Sequence, residues 1–160
     1  MPRPVYIICA QSMTQDKDTN LVSFFTVIER VTMKLPPLGQ ATPAPPAAHD
    51  SLARDVTAFK VMAAWVREQD DNGEFEHEFS VVVDGEEKPH GRRPFVFGED
   101  KWMQRFVLLM HGLPAPSTSG IVSVKSKVRR HGSNEWLSQE YPILVELSRP
   151  PTTAVASEAT

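Results

Sequence analysis

Period-two alternation of apolar and polar side chains constrains this chain more than any other feature. From Phe75 to Asp84, the residues Phe75, His77, Phe79, Val81 and Val83 alternate with Glu76, Glu78, Ser80, Val82 and Asp84. Successive side chains on a strand point to opposite faces, so the first set predicts a core-facing side and the second a wet one. A helix would scatter Glu74, Glu76 and Glu78 around its circumference, whereas a strand lines them up toward solvent. Ile121 to Val128 repeats the pattern: Val122, Val124, Ser126 and Val128 face one way, Ser123, Lys125 and Lys127 the other. In Pro142 to Ser148, Ile143, Val145 and Leu147 lie opposite Glu146 and Ser148.

Two runs are apolar on both faces. Phe106 to Met110 has no polar residue and Phe59 to Val66 has only Lys60. Both read as central strands, rich in Val and aromatic residues and too short for buried helices. Val5 to Cys9 and Leu21 to Val31 predict two further strands, joined by the polar stretch Gln11 to Asn20. Turn residues fall between these runs: Asp70-Asp71-Asn72-Gly73, Asp84-Gly85 and Arg130-His131-Gly132-Ser133-Asn134. Asn-Gly and Asp-Gly favour the positive φ values of tight hairpins.

Short strands punctuated by turns predict an all-β chain, an antiparallel β-sandwich of immunoglobulin or C2-like type with about seven to nine strands. The expected organisation is one domain over 1–149, with a proline-rich loop at 35–51 and a disordered tail at 150–160. The loop carries Pro36, Pro37, Pro43, Pro45 and Pro46, each of which fixes φ and removes a donor.

Size and charge narrow the function classes. A chain of 160 residues buries enough apolar surface for a core without metals or disulfides. Its formal charge of −3 gives no general pull toward nucleic acid or an anionic membrane. No stretch approaches the roughly 20 apolar residues of a membrane-spanning helix. The single cysteine, Cys9, has no partner for an intrachain disulfide, which suits a reducing compartment, and a cytoplasmic location is expected.

With the strands placed, the N-terminal third resembles the opening of a family of small uncharacterised bacterial β-sandwich proteins, a domain of unknown function. The resemblance rests on Ile7-Ile8-Cys9-Ala10, an acidic turn with Asp16 and Asp18, and Leu21-Val22-Ser23-Phe24-Phe25-Thr26-Val27-Ile28-Glu29-Arg30. Gly112-Leu113-Pro114, the strand after Gly120, and Pro142-Ile143-Leu144-Val145 fit the family's C-terminal plan. Ala10 stands where that pattern has an acidic residue, and Asn20 where it has Gly. The resemblance implies a β-sandwich and a bacterial origin. It brings no activity and no functional residue.

The candidate chemical groups each have an ordinary reading. Asp16-Lys17-Asp18-Thr19-Asn20 begins like a calcium loop, but the positions that need Gly and Glu hold Leu21 and Val27. A hairpin turn explains it, and Asp70, Asp71 and Asp84 are the carboxylates that could join a loop-built cation site. Glu74, Glu76 and Glu78 read as a solvated strand face, with His77 turned toward the apolar side. The five histidines, His49, His77, His90, His111 and His131, make no close ligand pair, and His111 is the one placed most interestingly, after an apolar strand. Nucleophile elbows and glycine-rich phosphate loops are missing from the sequence. Cys9, inside an apolar strand, reads as buried and inert. Lys125, Lys127 and Arg129 alternate onto one face as a positive stripe, extended by Arg130, without aromatic interleaving, so nucleic acid is an unlikely partner. Trp65, Trp102 and Trp136 read as core or rim packing, the last two also as loop anchors.

No residue is assigned a catalytic, cofactor-binding or metal-binding role, and no cofactor is expected. The function expected is a non-enzymatic protein-binding or adaptor module of the bacterial cytoplasm. The alternatives are a homo-oligomeric component paired through edge strands, and a metal-dependent site assembled from Asp16, Asp18, Asp70, Asp71, His77 and His111.

Overall fold

The computed structural model describes residues 1–35, 58–69 and 71–149. Among them are nine strands and no helix: β1 (Arg3–Gln15), β2 (Val22–Val27), β3 (Arg30–Lys34), β4 (Phe59–Val66), β5 (Glu74–Val83), β6 (Glu86–Val96), β7 (Met103–Met110), β8 (Gly120–Arg130) and β9 (Leu137–Ser148). They form two sheets, ordered β2-β1-β4-β7 and β3-β9-β8-β5-β6. The expected all-β sandwich is therefore what the chain forms. The expected proline-rich loop lies, beyond Leu35, outside the described residues, as do His49, Asp70 and the 150–160 tail.

The core lies between the sheets and follows the alternation. Phe75, His77, Phe79, Val81 and Val83 of β5 are buried, as are Val122, Val124, Ser126 and Val128 of β8 and Ile143 and Val145 of β9. The other sheet contributes Ile7 and Cys9 of β1, Phe59, Val61, Ala63 and Trp65 of β4, and Phe106 of β7. Asp84 and Gly85 adopt φ of 51° and 79°, the two positive values a two-residue hairpin between β5 and β6 requires.

Two expectations change, and one strand is added. The run Leu21 to Val31 is not one strand. It breaks at Ile28 and Glu29, which carry the chain from one sheet to the other: the Ile28 amide donates to the Cys9 carbonyl, and the Leu144 amide donates to the Glu29 carbonyl. After this crossing β3 pairs with β9 in parallel, whereas the other pairs are antiparallel. Strand β6 has no signature of alternation. Pro89, Pro94 and Gly91 hide it, and they are tolerated because β6 is an edge strand that does not need every amide. Finally, Phe106 to Met110 is not central. It belongs to β7, an edge of the four-stranded sheet, with β4 on one side and, among the described residues, no strand on the other.

Candidate interaction surface

The two outer faces of the sandwich differ in chemistry. On the five-stranded sheet, the register sets Glu76 opposite Arg129, Glu78 opposite Lys127 and Ser80 opposite Lys125. The acidic run and the basic stripe thus share one face and neutralise each other. Arg129 pairs with Glu76 at 2.5 Å, and Lys127 with Glu78 at 2.7 Å and Glu87 at 2.5 Å. Arg92 reaches Glu78 at 2.6 Å, and Lys125 lies 3.6 Å from Glu140. Glu78 is only 4% exposed, contrary to the wet position its alternation predicts, because the neighbouring cations and Trp136 cover it. Burial pushes its carboxyl up, but the hydrogen bonds and charges of Lys127 and Arg92 outweigh that and hold it below the ordinary carboxylate value. The Arg129 hydrogen bond likewise lowers Glu76, and Lys127 and Ser80 lower Glu87.

Trp136 corrects the expectation that the stripe lacks an aromatic. Its ring lies 4.6 Å from the Arg129 guanidinium, 5.2 Å from Lys127 Nζ and 5.4 Å from the Arg92 guanidinium. These cations are already met by the protein's own carboxylates and by one indole, so among the described residues the stripe is part of a charge network rather than a set of free cations.

The separate candidates for chemistry do not converge. Asp16 caps its own turn, accepting from the Asp18 and Thr19 amides at 2.9 and 2.8 Å, and the Thr19 contacts hold its carboxyl below the ordinary value. Asp71 is not the solvated turn residue expected. It is 2% exposed, lies 2.7 Å from the Met1 ammonium, and accepts from the Glu68 amide at 3.1 Å. Asp84 accepts from the Ser117 amide at 2.8 Å. His111 is exposed just after β7. Among the described residues, no group of three or more His, Cys, Asp or Glu is arranged to hold a metal. His77 is buried and stacks on Phe106 at 3.7 Å, with Nε2 2.9 Å from Ser126 Oγ. The same hydroxyl accepts from Trp65 Nε1 at 2.9 Å, which leaves its proton available to a neutral imidazole. Burial lowers the His77 pKa to about 3, with the charge of Arg93 adding to the effect. Cys9 is fully buried, and burial pushes its thiol up to about 12.

The outer face of the four-stranded sheet is apolar. Ladder pairing runs laterally from Val27 to Ala10, Lys60 and Leu109, and in the next row from Ile8 to Met62 and Val107. One further row holds Tyr6, Ala64 and Arg105. The far end of the β1–β2 hairpin folds over this last row. Phe24 packs edge-on against Tyr6 at 6.0 Å, Arg105 Nη1 donates to Asn20 Oδ1 at 3.0 Å, and Gln15 Nε2 also donates to that oxygen. Asn20 adopts φ of 58°, a left-handed value that asparagine tolerates. This cover explains why Ala64 is buried although it lies outside the intersheet core, and Met62 beside it is reached by the Tyr6 hydroxyl, 3.6 Å from its sulfur.

The hairpin leaves the rest of the face open. Val27, Val107 and Leu109 are 45%, 49% and 51% exposed, and Phe25 is 50% exposed on the same hairpin. Arg105, under the hairpin tip, pairs with no carboxylate among the described residues, and its Nε is buried without a hydrogen-bond partner. Trp102, 65% exposed, stands just before β7 beside a shallow depression lined by Arg67, Glu68, Asp100 and Lys101.

Sequence reasoning missed this surface because a strand apolar on both faces is ordinarily central. The signal lies in Val107 and Leu109, whose apolar side chains suit a core and an open face alike. The fold and the open sheet face define the class: an all-β, sandwich-type protein whose four-stranded sheet exposes apolar side chains on its outer face and at its described edges. No protein-family model matches the chain, and no curated protein matches it.

Proposed function

We propose that this protein is a non-enzymatic protein-binding module of the bacterial cytoplasm, and that it docks a partner on the outer face of the four-stranded sheet and along β7. The observation that carries the reading is β7 itself. It has the composition of a central strand, yet Val107 and Leu109 face solvent at an edge. Exposed apolar side chains beside unpaired backbone groups suit a protein partner, because strand and side-chain burial together satisfy both. The charge network on the opposite face favours the same assignment, since its cations are already met by the protein's own carboxylates. The bacterial and cytoplasmic parts of the reading rest on the family resemblance and on a single, buried, unbridged cysteine.

Site-specific photo-cross-linking in living cells tests it. A benzophenone side chain at Val107 or Leu109 is expected to give one dominant adduct of defined mass. The same group at the exposed Lys88 of β6 is expected to give none. An identical adduct pattern at all three positions, or no adduct at any, overturns the reading.

A further inference from the structure

Strand β7 differs from β6, one edge of the five-stranded sheet, in the residues that guard an edge against pairing. Strand β6 carries Pro89 and Pro94, which lack amide donors, together with Lys88, Arg92 and Arg93. Such residues block strand addition. Strand β7 has no proline or glycine and one charged residue, Arg105. Its outer side chains, in order, are Arg105, Val107 and Leu109.

The charge on this face is one-sided. Its ladder rows hold Lys60 and Arg105 and no carboxylate. The hairpin tip strips water from the Arg105 guanidinium, which leaves one buried donor unmet and strengthens any ion pair the group makes.

We propose that β7 accepts an antiparallel strand from an extended partner segment of pattern apolar-x-apolar-x-carboxylate, which deepens the protein-binding reading above and rests on it. The two apolar side chains cover Leu109 and then Val107, and the Asp or Glu pairs with Arg105. Antiparallel addition continues the pattern of the whole four-stranded sheet and gives the more stable ladder. A second copy of this chain fits less well. Twofold pairing of β7 with itself sets Arg105 opposite Met103, Arg105, Val107 or Leu109. The strand contains no acidic residue, so both guanidinium groups stay unpaired.

The test uses the full chain and an acetylated, amidated peptide reading Lys-Val-Thr-Val-Thr-Glu-Lys, titrated by calorimetry. Replacing the peptide's glutamate by glutamine is expected to weaken binding about tenfold, as loss of a charge-assisted hydrogen bond does. The same replacement is expected to change nothing in the Arg105→Gln variant, which keeps a donor for Asn20. Amide exchange is expected to slow in β7 on peptide addition and to stay unchanged in β6. Equal binding of the two peptides to the unsubstituted chain overturns the proposal. So does absent binding, tighter binding of the reversed-order peptide Lys-Glu-Thr-Val-Thr-Val-Lys, or a dimer that protects β7 without peptide. The glutamate–glutamine comparison needs no protein variant, so the test stands even where Arg105→Gln does not fold. If cross-linking at Val107 succeeds while the peptide fails, strand addition falls and the broader reading survives; if both fail, both fall.

Discussion

At position 77 a titratable ring serves as a core side chain, and its cost is a pH dependence. The imidazole is neutral in the folded protein down to a pKa of about 3 and titrates near 6.5 when unfolded. Above pH 6.5 both states are neutral and the group contributes nothing to pH dependence. Below it the unfolded chain takes up a proton that the folded chain refuses, so stability falls with pH until about pH 3. Each unit in that window costs about 1.4 kcal/mol, so the drop between pH 6.5 and 5 is about 2 kcal/mol. Urea unfolding of the unsubstituted chain and of His77→Gln at the two pH values checks this: the variant is expected to lack that drop. The alternation shows that His77 faces the core. It does not show Ser126 and Trp65 as its partners, because Ser126 looks like a polar slip in an apolar set until β5 and β8 are set side by side. A core hydroxyl that receives the Trp65 indole is a tertiary fact.

Among the elements, β5 and β8 illustrate what alternation leaves open. Which residues share a face is readable, since Glu76 and Glu78 alternate as surely as Lys125 and Lys127. Which strand lies beside which is not, and the register Glu78 opposite Lys127 turns two apparent charged surfaces into one neutral ladder. The pair is mostly shielded from water, with side chains 5% and 16% exposed. A double-mutant cycle with Glu78→Ala and Lys127→Ala is expected to give a coupling energy above about 1 kcal/mol. The cycle for Lys125 and Glu140, whose side chain is 54% exposed, is expected to give less than about 0.5 kcal/mol. Equal coupling in the two cycles would show that burial does not strengthen the inner pair. Strand β7 makes the converse point. Its burial on one face and exposure on the other are invisible in an apolar run, because apolar residues satisfy a core and a docking face alike.

At the scale of the whole molecule, Cys9 sits in the intersheet core on β1, between β2 and β4. Burial and a thiol pKa of about 12 leave almost no reactive thiolate at neutral pH. Labelling by a thiol reagent is expected to require separation of the sheets, so its rate should rise with urea along the global unfolding curve. A urea-independent rate would show instead that β1 opens locally. What the chain determined by itself was the sandwich class, the inward faces of β5, β8 and β9, and the Asp84-Gly85 turn, because these follow from local side-chain period and local φ preference. The tertiary structure decided the break at Ile28 and Glu29, the hidden edge strand β6, the neutral charge ladder and the edge position of β7. Each of these depends on which strands become neighbours, and neighbour choice is set by packing across the whole core rather than by any one segment.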